Sequence, residues 1–223
     1  MGVLVFVSSC SCRVRVCFKK MNLKQPLLIS GNSEMTIYAI RNNREPYYRE
    51  LDFSQMDIVN AAPEGMHPDE ILDGAERNSA MANWWVTPNV AFCAGTDPIP
   101  DITVWLTSLL LLSPKAHRVL VDILNPCGEF LPVVVSGEKY FLFNCLTFGD
   151  EDSTGTEFEC EGGQELWLKS LAFKTSAESL AMFKSLSNRG MTPFCNQHFK
   201  DAVESFALEG LMFDKQLIEV YET

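Results

Sequence analysis

The chain has 223 residues, of which 47% are hydrophobic and 21% charged, a composition typical of a folded globular protein and too apolar for one that is disordered throughout. Its formal net charge is -11, which disfavours binding to nucleic acids or anionic membranes and favours a basic partner. The eight cysteines are scattered or crowded near the start, so we expect reduced thiols and a cytoplasmic protein.

Residues 1–34 differ from the rest of the chain. They hold five basic residues and one acid, which leaves 13 basic and 28 acidic residues in the remainder. The apolar run MGVLVFVSSC is too short for a membrane span and lacks the basic leader of a secretory signal. We therefore predict a poorly ordered extension over 1–34 and a single domain over 35–223, with 107–112 as the place where that domain would subdivide.

The pattern from residue 36 to residue 112 is irregular. A first strand is predicted over 36–41, and a short helix over 69–77. Extended segments are predicted over 84–92 and 102–106. Since neighbouring side chains of a strand point to opposite faces, one of Trp84 and Trp85 would enter the core and the other would face outward as an anchor for a partner.

A helix followed by a hairpin forms the clearest unit of the sequence. Ser113 is a favourable cap for a helix that begins at Pro114. The apolar residues of this helix recur on one face: Val119, Leu120, Ile123 and Leu124. Two β-rich runs follow over 130–135 and 140–146, and turn-forming residues at 136–138 join them.

Residues 149–165 contain seven acids among glycines and small polar residues, which predicts an exposed, mobile loop. Clustered carboxylates speed the encounter with a positively charged protein and can occupy its basic cleft. The run DEDSTGTE also has the alternating oxygen ligands of a calcium loop, but it lacks the helix-flanked pattern of that motif. The predicted partner-binding residues are Trp84, Trp85, Asp150, Glu151, Asp152, Glu157, Glu159 and Glu161.

The last part of the chain is predicted to hold a β-like run over 166–173, strands over 182–186 and 191–195, and a final helix. Asn196 would cap this helix, and its apolar stripe is formed by Phe199, Val203, Phe206 and Ala207. Gly210 would follow the helix, and a terminal strand is predicted over 211–221. Because strands and helices do not alternate regularly, we predict an α+β fold with a mixed, largely antiparallel sheet and a few short amphipathic helices.

The sequence contains no strong catalytic signature. Cys195, His198 and Asp201 could act as nucleophile, base and orienting group, but His198 and Asp201 are one helical turn apart and would meet each other rather than the thiol. Cys195 and His198 also fit half of a zinc site, but Cys160 and His117 could supply the other two ligands only by coincidence of the fold, because no paired short spacing recurs. We expect no catalysis, metal or cofactor. Two alternatives remain: an enzyme that acts on a small molecule through Cys195, His198 and Asp201, and a general protein-interaction module.

The order of the motifs resembles a known family. LSPKAHRVL is followed by GEFLPVVV, by KYFLFNCLTFGDED and by TPFCNQHFKDAVESFALEGLMF. Over 84–221 this pattern resembles the bacterial polymorphic-toxin immunity proteins, a family long classed as a domain of unknown function and typified by a myxobacterial protein. The resemblance implies a cytoplasmic protein that binds a cognate toxin, often one delivered by contact-dependent or type VI secretion, and neutralises it in the producing cell. It implies no catalytic residues and leaves the toxin and the oligomeric state open.

Overall fold

The computed structural model describes residues 36–219, so the predicted extension over 1–34 lies outside the described residues. The strands of the described part are β1 (Ile37–Asn42), β2 (Leu51–Asp52), β3 (Asn89–Phe92), β4 (Ile102–Trp105), β5 (Leu109–Leu112), β6 (Gly128–Val135), β7 (Glu138–Cys145), β8 (Glu157–Glu161), β9 (Gln164–Ser170), β10 (Met182–Lys184), β11 (Pro193–Asn196) and β12 (Leu211–Asp214). Its α-helices are α1 (Gln55–Ala61), α2 (Pro68–Leu72), α3 (Gly74–Arg77), α4 (Pro114–Leu124) and α5 (Gln197–Ser205).

These strands form three sheets. Six of them pair in the order β2-β3-β6-β7-β5-β4, and every neighbouring pair is antiparallel except β3 and β6. Four others pair antiparallel in the order β10-β11-β1-β12, while β8 and β9 form a separate hairpin. The prediction of an α+β fold, largely antiparallel and with a few short helices, is confirmed.

Strand β5 shows how the interior is divided. Leu110 and Leu112 pack in an apolar cluster with α4, α5 and β1, whereas Leu109 and Leu111 pack on the opposite face with α1, α2 and part of the segment that precedes β3. All four leucines are buried because both faces of the six-stranded sheet are covered. The predicted place of subdivision, 107–112, therefore holds a strand that pairs with β4 on one side and β7 on the other.

The two long helices begin where the sequence predicts. The Ser113 hydroxyl accepts a hydrogen bond from the backbone N–H of Ala116 at 3.2 Å, and the Asn196 side chain accepts one from Phe199 at 3.0 Å. The stripe predicted for α5 extends too far, because Phe206 lies beyond the helix and is 56% exposed. Ala207 adopts a left-handed φ of 46°, and Leu208 occupies the buried position instead.

The segment before α4 departs most from its prediction. Helix α1 was missed, although Ser54 and Asp57 form a capping box at its start. The helix predicted over 69–77 is two short helices, α2 and α3, that meet at Asp73. Of the extended segment predicted over 84–92, only β3 is a strand. At the other end of the chain, the strand predicted over 211–221 ends at Asp214.

Candidate partner-binding surface

The start of the acidic segment is held against the body of the protein, which contradicts the prediction of a mobile loop there. The backbone N–H of Asp152 donates to the carbonyl of Ala172 at 2.9 Å, and that of Lys174 donates to the carbonyl of Asp150 at 2.8 Å. The Asp150 carboxylate also accepts from Lys174 Nζ at 2.8 Å and from Ser176 Oγ at 3.1 Å. These contacts, the Lys174 hydrogen bond above all, lower the pKa of Asp150.

The next two carboxylates are also used within the chain. Glu151 accepts hydrogen bonds from Ser185 Oγ at 2.6 Å, from the backbone N–H of Ser187 at 3.0 Å and from the Ser187 hydroxyl. Burial opposes ionisation of Glu151, but these bonds outweigh it and lower its pKa. Asp152 accepts from the backbone N–H of Thr154 at 2.9 Å. All three carboxylates therefore help to hold the fold, and reversing the charge of Glu151 would break several bonds.

The second half of the acidic segment is the β8–β9 hairpin rather than a loop. Gly162 and Gly163 turn the chain with φ values of 61° and 83°, a region that glycine adopts without strain. Glu159 lies 3.9 Å from Lys169. Within the described residues, no hydrogen bond or ion pair is formed by the carboxylates of Glu157, Glu161 and Glu165. The hairpin therefore presents the uncompensated negative charge of this segment.

The same hairpin exposes Trp167. Its side chain is 62% exposed, it lies opposite Glu159 in the register, and the adjacent Leu166 is 45% exposed. Phe158 and Leu168 form the neighbouring cross-strand pair and are half-buried. The sequence predicted a β-like run over 166–173, but Trp167 was not singled out because residues 149–165 were assigned to a loop and the hairpin was missed. A glycine pair between β-rich runs is a hairpin signal, and it would have placed Trp167 and Leu168 on opposite faces.

Trp84 and Trp85 do not occupy opposite faces of a strand, because the chain is not extended there. Trp84 closes a turn through a hydrogen bond from its backbone N–H to Met81 O at 3.1 Å. The indole Nε1 of Trp85 donates to Pro132 O at 2.8 Å. Both rings are half-buried, and both pack against the apolar cluster on the α1 side of the sheet. Neither projects as the isolated surface anchor that was predicted.

The residues of the enzyme alternative are not brought together. Cys195 lies in β11 with 0% exposure, and burial raises the pKa of its thiol well above the usual value, which disfavours a nucleophilic role. His198 is exposed on α5, while Asp201 accepts a hydrogen bond from Gln197 at 2.6 Å rather than meeting His198. Of the other proposed zinc ligands, Cys160 lies exposed on the hairpin. In residues 36–219 no hydrogen bond joins Cys195, His198 and Asp201.

Thiol alkylation should separate the cysteines by burial. We expect iodoacetamide to label Cys93 and Cys160 in the native protein and to spare Cys127, Cys145 and Cys195. Burial raises the pKa of Cys145 to about 11, so almost no thiolate is present there at neutral pH. Peptide mass spectrometry before and after denaturation measures both states, and the unfolded chain should be labelled at each of these five of its eight cysteines. Rapid native labelling of Cys195 would restore the enzyme alternative.

Two kinds of feature are absent from the described residues, and two comparisons with known proteins gave no match. In the part of the chain that the structure describes, no helix has the length and apolar character needed to span a membrane. Among the same residues, no three or more His, Cys, Asp or Glu side chains lie together where they would bind a metal ion. No family model matches the chain, and no curated protein matches it. The resemblance to the immunity proteins thus rests on the sequence pattern itself.

Proposed function

We propose that the protein is an immunity protein that binds a cognate toxin through the β8–β9 hairpin and neutralises it in the cytoplasm of the producing cell. The observation that carries the proposal is the exposed Trp167 on a hairpin whose three carboxylates Glu157, Glu161 and Glu165 form no ion pair within residues 36–219. Exposed tryptophans contribute disproportionately to binding energy in protein interfaces. The motif order of the sequence supplies the class of partner, a toxin delivered by contact-dependent or type VI secretion.

The neutralisation would be stoichiometric and would need neither a cofactor nor a substrate. Glu157, Glu161 and Glu165 would attract a toxin whose active-site cleft is basic, and the hairpin would then cover that cleft. Such steering acts over about a Debye length, roughly 8 Å at physiological salt, so association should slow as salt is added. The charge of -11 favours this protein partner over nucleic acids and anionic membranes.

Co-expression with the cognate toxin tests the proposal, and the product of the neighbouring upstream gene would be the first candidate for that toxin. We expect the protein to restore growth to cells that produce this toxin and to co-purify with it as a stable complex. A toxin from an unrelated system is the control and should kill cells whether or not the protein is present. If the cognate toxin kills at the same dose in the presence of the protein, the proposed function is wrong.

A further inference from the structure

Exposed apolar side chains are concentrated beside the hairpin. Twelve large hydrophobic residues are exposed in the described part of the chain, and six of them line one open groove of about 860 Å³ and an adjoining cavity of about 290 Å³. The six are Leu72, Leu106, Leu166, Trp167, Leu186 and Met191. Met191 lines both spaces, so they meet. Such clustering of exposed apolar surface marks binding sites more often than chance.

The backbone on both sides of this junction is strained. Leu106 and Arg189 each have a φ of 54°, a left-handed conformation that large side chains rarely adopt. Leu106 lines the cavity, and Arg189 lines both the cavity and the groove. Gly190, which follows, has no room for a side chain, because a Cβ atom there would lie 2.4 Å from the carbonyl oxygen of Ala75. Strained residues that persist at an exposed surface are concentrated at functional sites.

The charges around the two spaces favour a cationic occupant. Arg189 is already paired with Glu76 at 2.9 Å, and Arg41 with Glu219 at 2.7 Å. Glu165 lines the groove and forms no ion pair within residues 36–219. Both arginines are therefore neutralised by the chain's own carboxylates, whereas Glu165 is not. A ligand with an arginine or lysine would place a positive charge beside Glu165 and pair with it.

The polar groups of the cavity are largely satisfied by the protein itself. The amide Nδ2 of Asn144 donates to Ser79 O at 3.0 Å and to Glu129 Oε1 at 2.8 Å. A volume of about 290 Å³ lies at the lower end of the roughly 300–1,000 Å³ of small-ligand sites, and a small ligand there would leave Leu186 and Trp167 uncovered. A longer occupant that continues along the groove would cover them.

We propose that the groove and cavity bind an extended segment of the partner protein in which a large apolar side chain stands close to a lysine or arginine. The apolar side chain enters the cavity between Leu106 and Met191, and the cation contacts Glu165. The segment covers Trp167 and Leu186 as it crosses the groove. This inference rests on the proposed function, since the groove shares Trp167 with the partner-binding hairpin.

Random peptides displayed on phage, selected on the purified full-length chain, test this inference. We expect the selected peptides to combine a large apolar residue with a nearby lysine or arginine. Synthetic copies should bind Met191→Asp and Leu186→Asp at least about tenfold more weakly than the original chain, the effect expected of losing an interface anchor. Phe206→Asp is the matched control, because Phe206 is equally exposed but lies outside both spaces, and its binding should be unchanged.

Several outcomes would overturn the inference. They are the absence of enriched sequences, enrichment of acidic peptides, and binding that neither groove variant weakens. Occupation of the cavity by neutral fragments in ligand-observed NMR, with no peptide binding, would show a small-molecule site instead. The co-expression assay separates the two proposals. If Met191→Asp and Leu186→Asp still neutralise the toxin, the groove inference fails alone, and if peptides bind but the toxin still kills, the proposed function fails alone.

Discussion

Replacing Trp167 with alanine is expected to weaken binding to the proposed toxin partner by about 2 kcal/mol or more, roughly 30-fold, because the loss of an aromatic anchor at the centre of an interface has effects of this size. The stability of the protein should change by no more than about 0.5 kcal/mol, since the ring is 62% exposed and its removal leaves no buried cavity. Isothermal titration calorimetry with the purified toxin measures the affinity, and urea unfolding measures the stability.

Tyr47→Ala provides the matched control for Trp167→Ala. Tyr47 is an aromatic residue with 70% exposure, and it lies outside the hairpin. Its removal should leave the affinity for the toxin unchanged within about twofold, as for most residues outside an interface. If Trp167→Ala binds the toxin as tightly as the Tyr47 variant, the toxin docks on another face and the hairpin is not the binding surface.

The parts of the fold that were predicted correctly depend on short-range signals. The Ser113 cap and Pro114 define the start of α4 within two residues, and Ser136 and Gly137 connect β6 to β7 with φ values of 51° and 90°. The stretch around Trp84 was predicted wrongly because its conformation depends on distant partners. The Glu129 carboxylate accepts the backbone N–H of Met81, which lies 48 residues away in sequence. A pattern of neighbouring residues cannot predict a hydrogen bond between residues this far apart in sequence.

The candidate partner-binding surface could likewise be predicted only in part. The seven acids between 149 and 165 could be counted from the sequence, but the sequence does not show which of them form hydrogen bonds or ion pairs within the fold. Glu151 is held by Ser185 and Ser187, which are 34 and 36 residues distant. Glu161 has no partner among the described residues, because it lies beside the glycine turn at the end of a hairpin. The groove depends on the approach of β9 to loop 186–192, a tertiary arrangement that periodicity does not encode.

The environment of the Lys184 side chain could not be predicted from the sequence. Within a β-rich run a lysine is expected to face solvent, yet its exposure is 0%. Its Nζ donates to Ala75 O at 2.6 Å and lies 5.5 Å from the centre of the Phe148 ring. No carboxylate forms an ion pair with it in residues 36–219. Burial consequently lowers its pKa from 10.5 to about 8, with the Cys145 thiol opposing the shift slightly.

This lowered pKa predicts that the Lys184 contribution makes the folded state more stable as pH rises from about 8 to 10.5. In that range the unfolded chain holds the proton and the folded chain has released it, so the free energy of unfolding increases with pH. Below pH 8 Lys184 is protonated in both the folded and the unfolded chain, and the folded state is destabilised by the full cost of burying the ammonium. The shift corresponds to about 3 kcal/mol, of which roughly 2–3 kcal/mol should be recovered between pH 7 and pH 10.

Lys184→Met isolates this contribution, because methionine fills a similar volume and does not titrate. Cys145 also titrates in this range and acts in the opposite direction, since its folded-state pKa of about 11 lies above its ordinary value of 9.0. The Cys145 thiol remains in both proteins, but Lys184 lowers its pKa, so the difference between their unfolding free energies reports Lys184 together with its coupling to Cys145. Urea unfolding at pH 7, 8, 9 and 10 should show the original chain gaining roughly 2–3 kcal/mol relative to the variant. A difference that stays constant over this range would mean that Lys184 titrates like an exposed lysine and that its ammonium is hydrated in the folded protein.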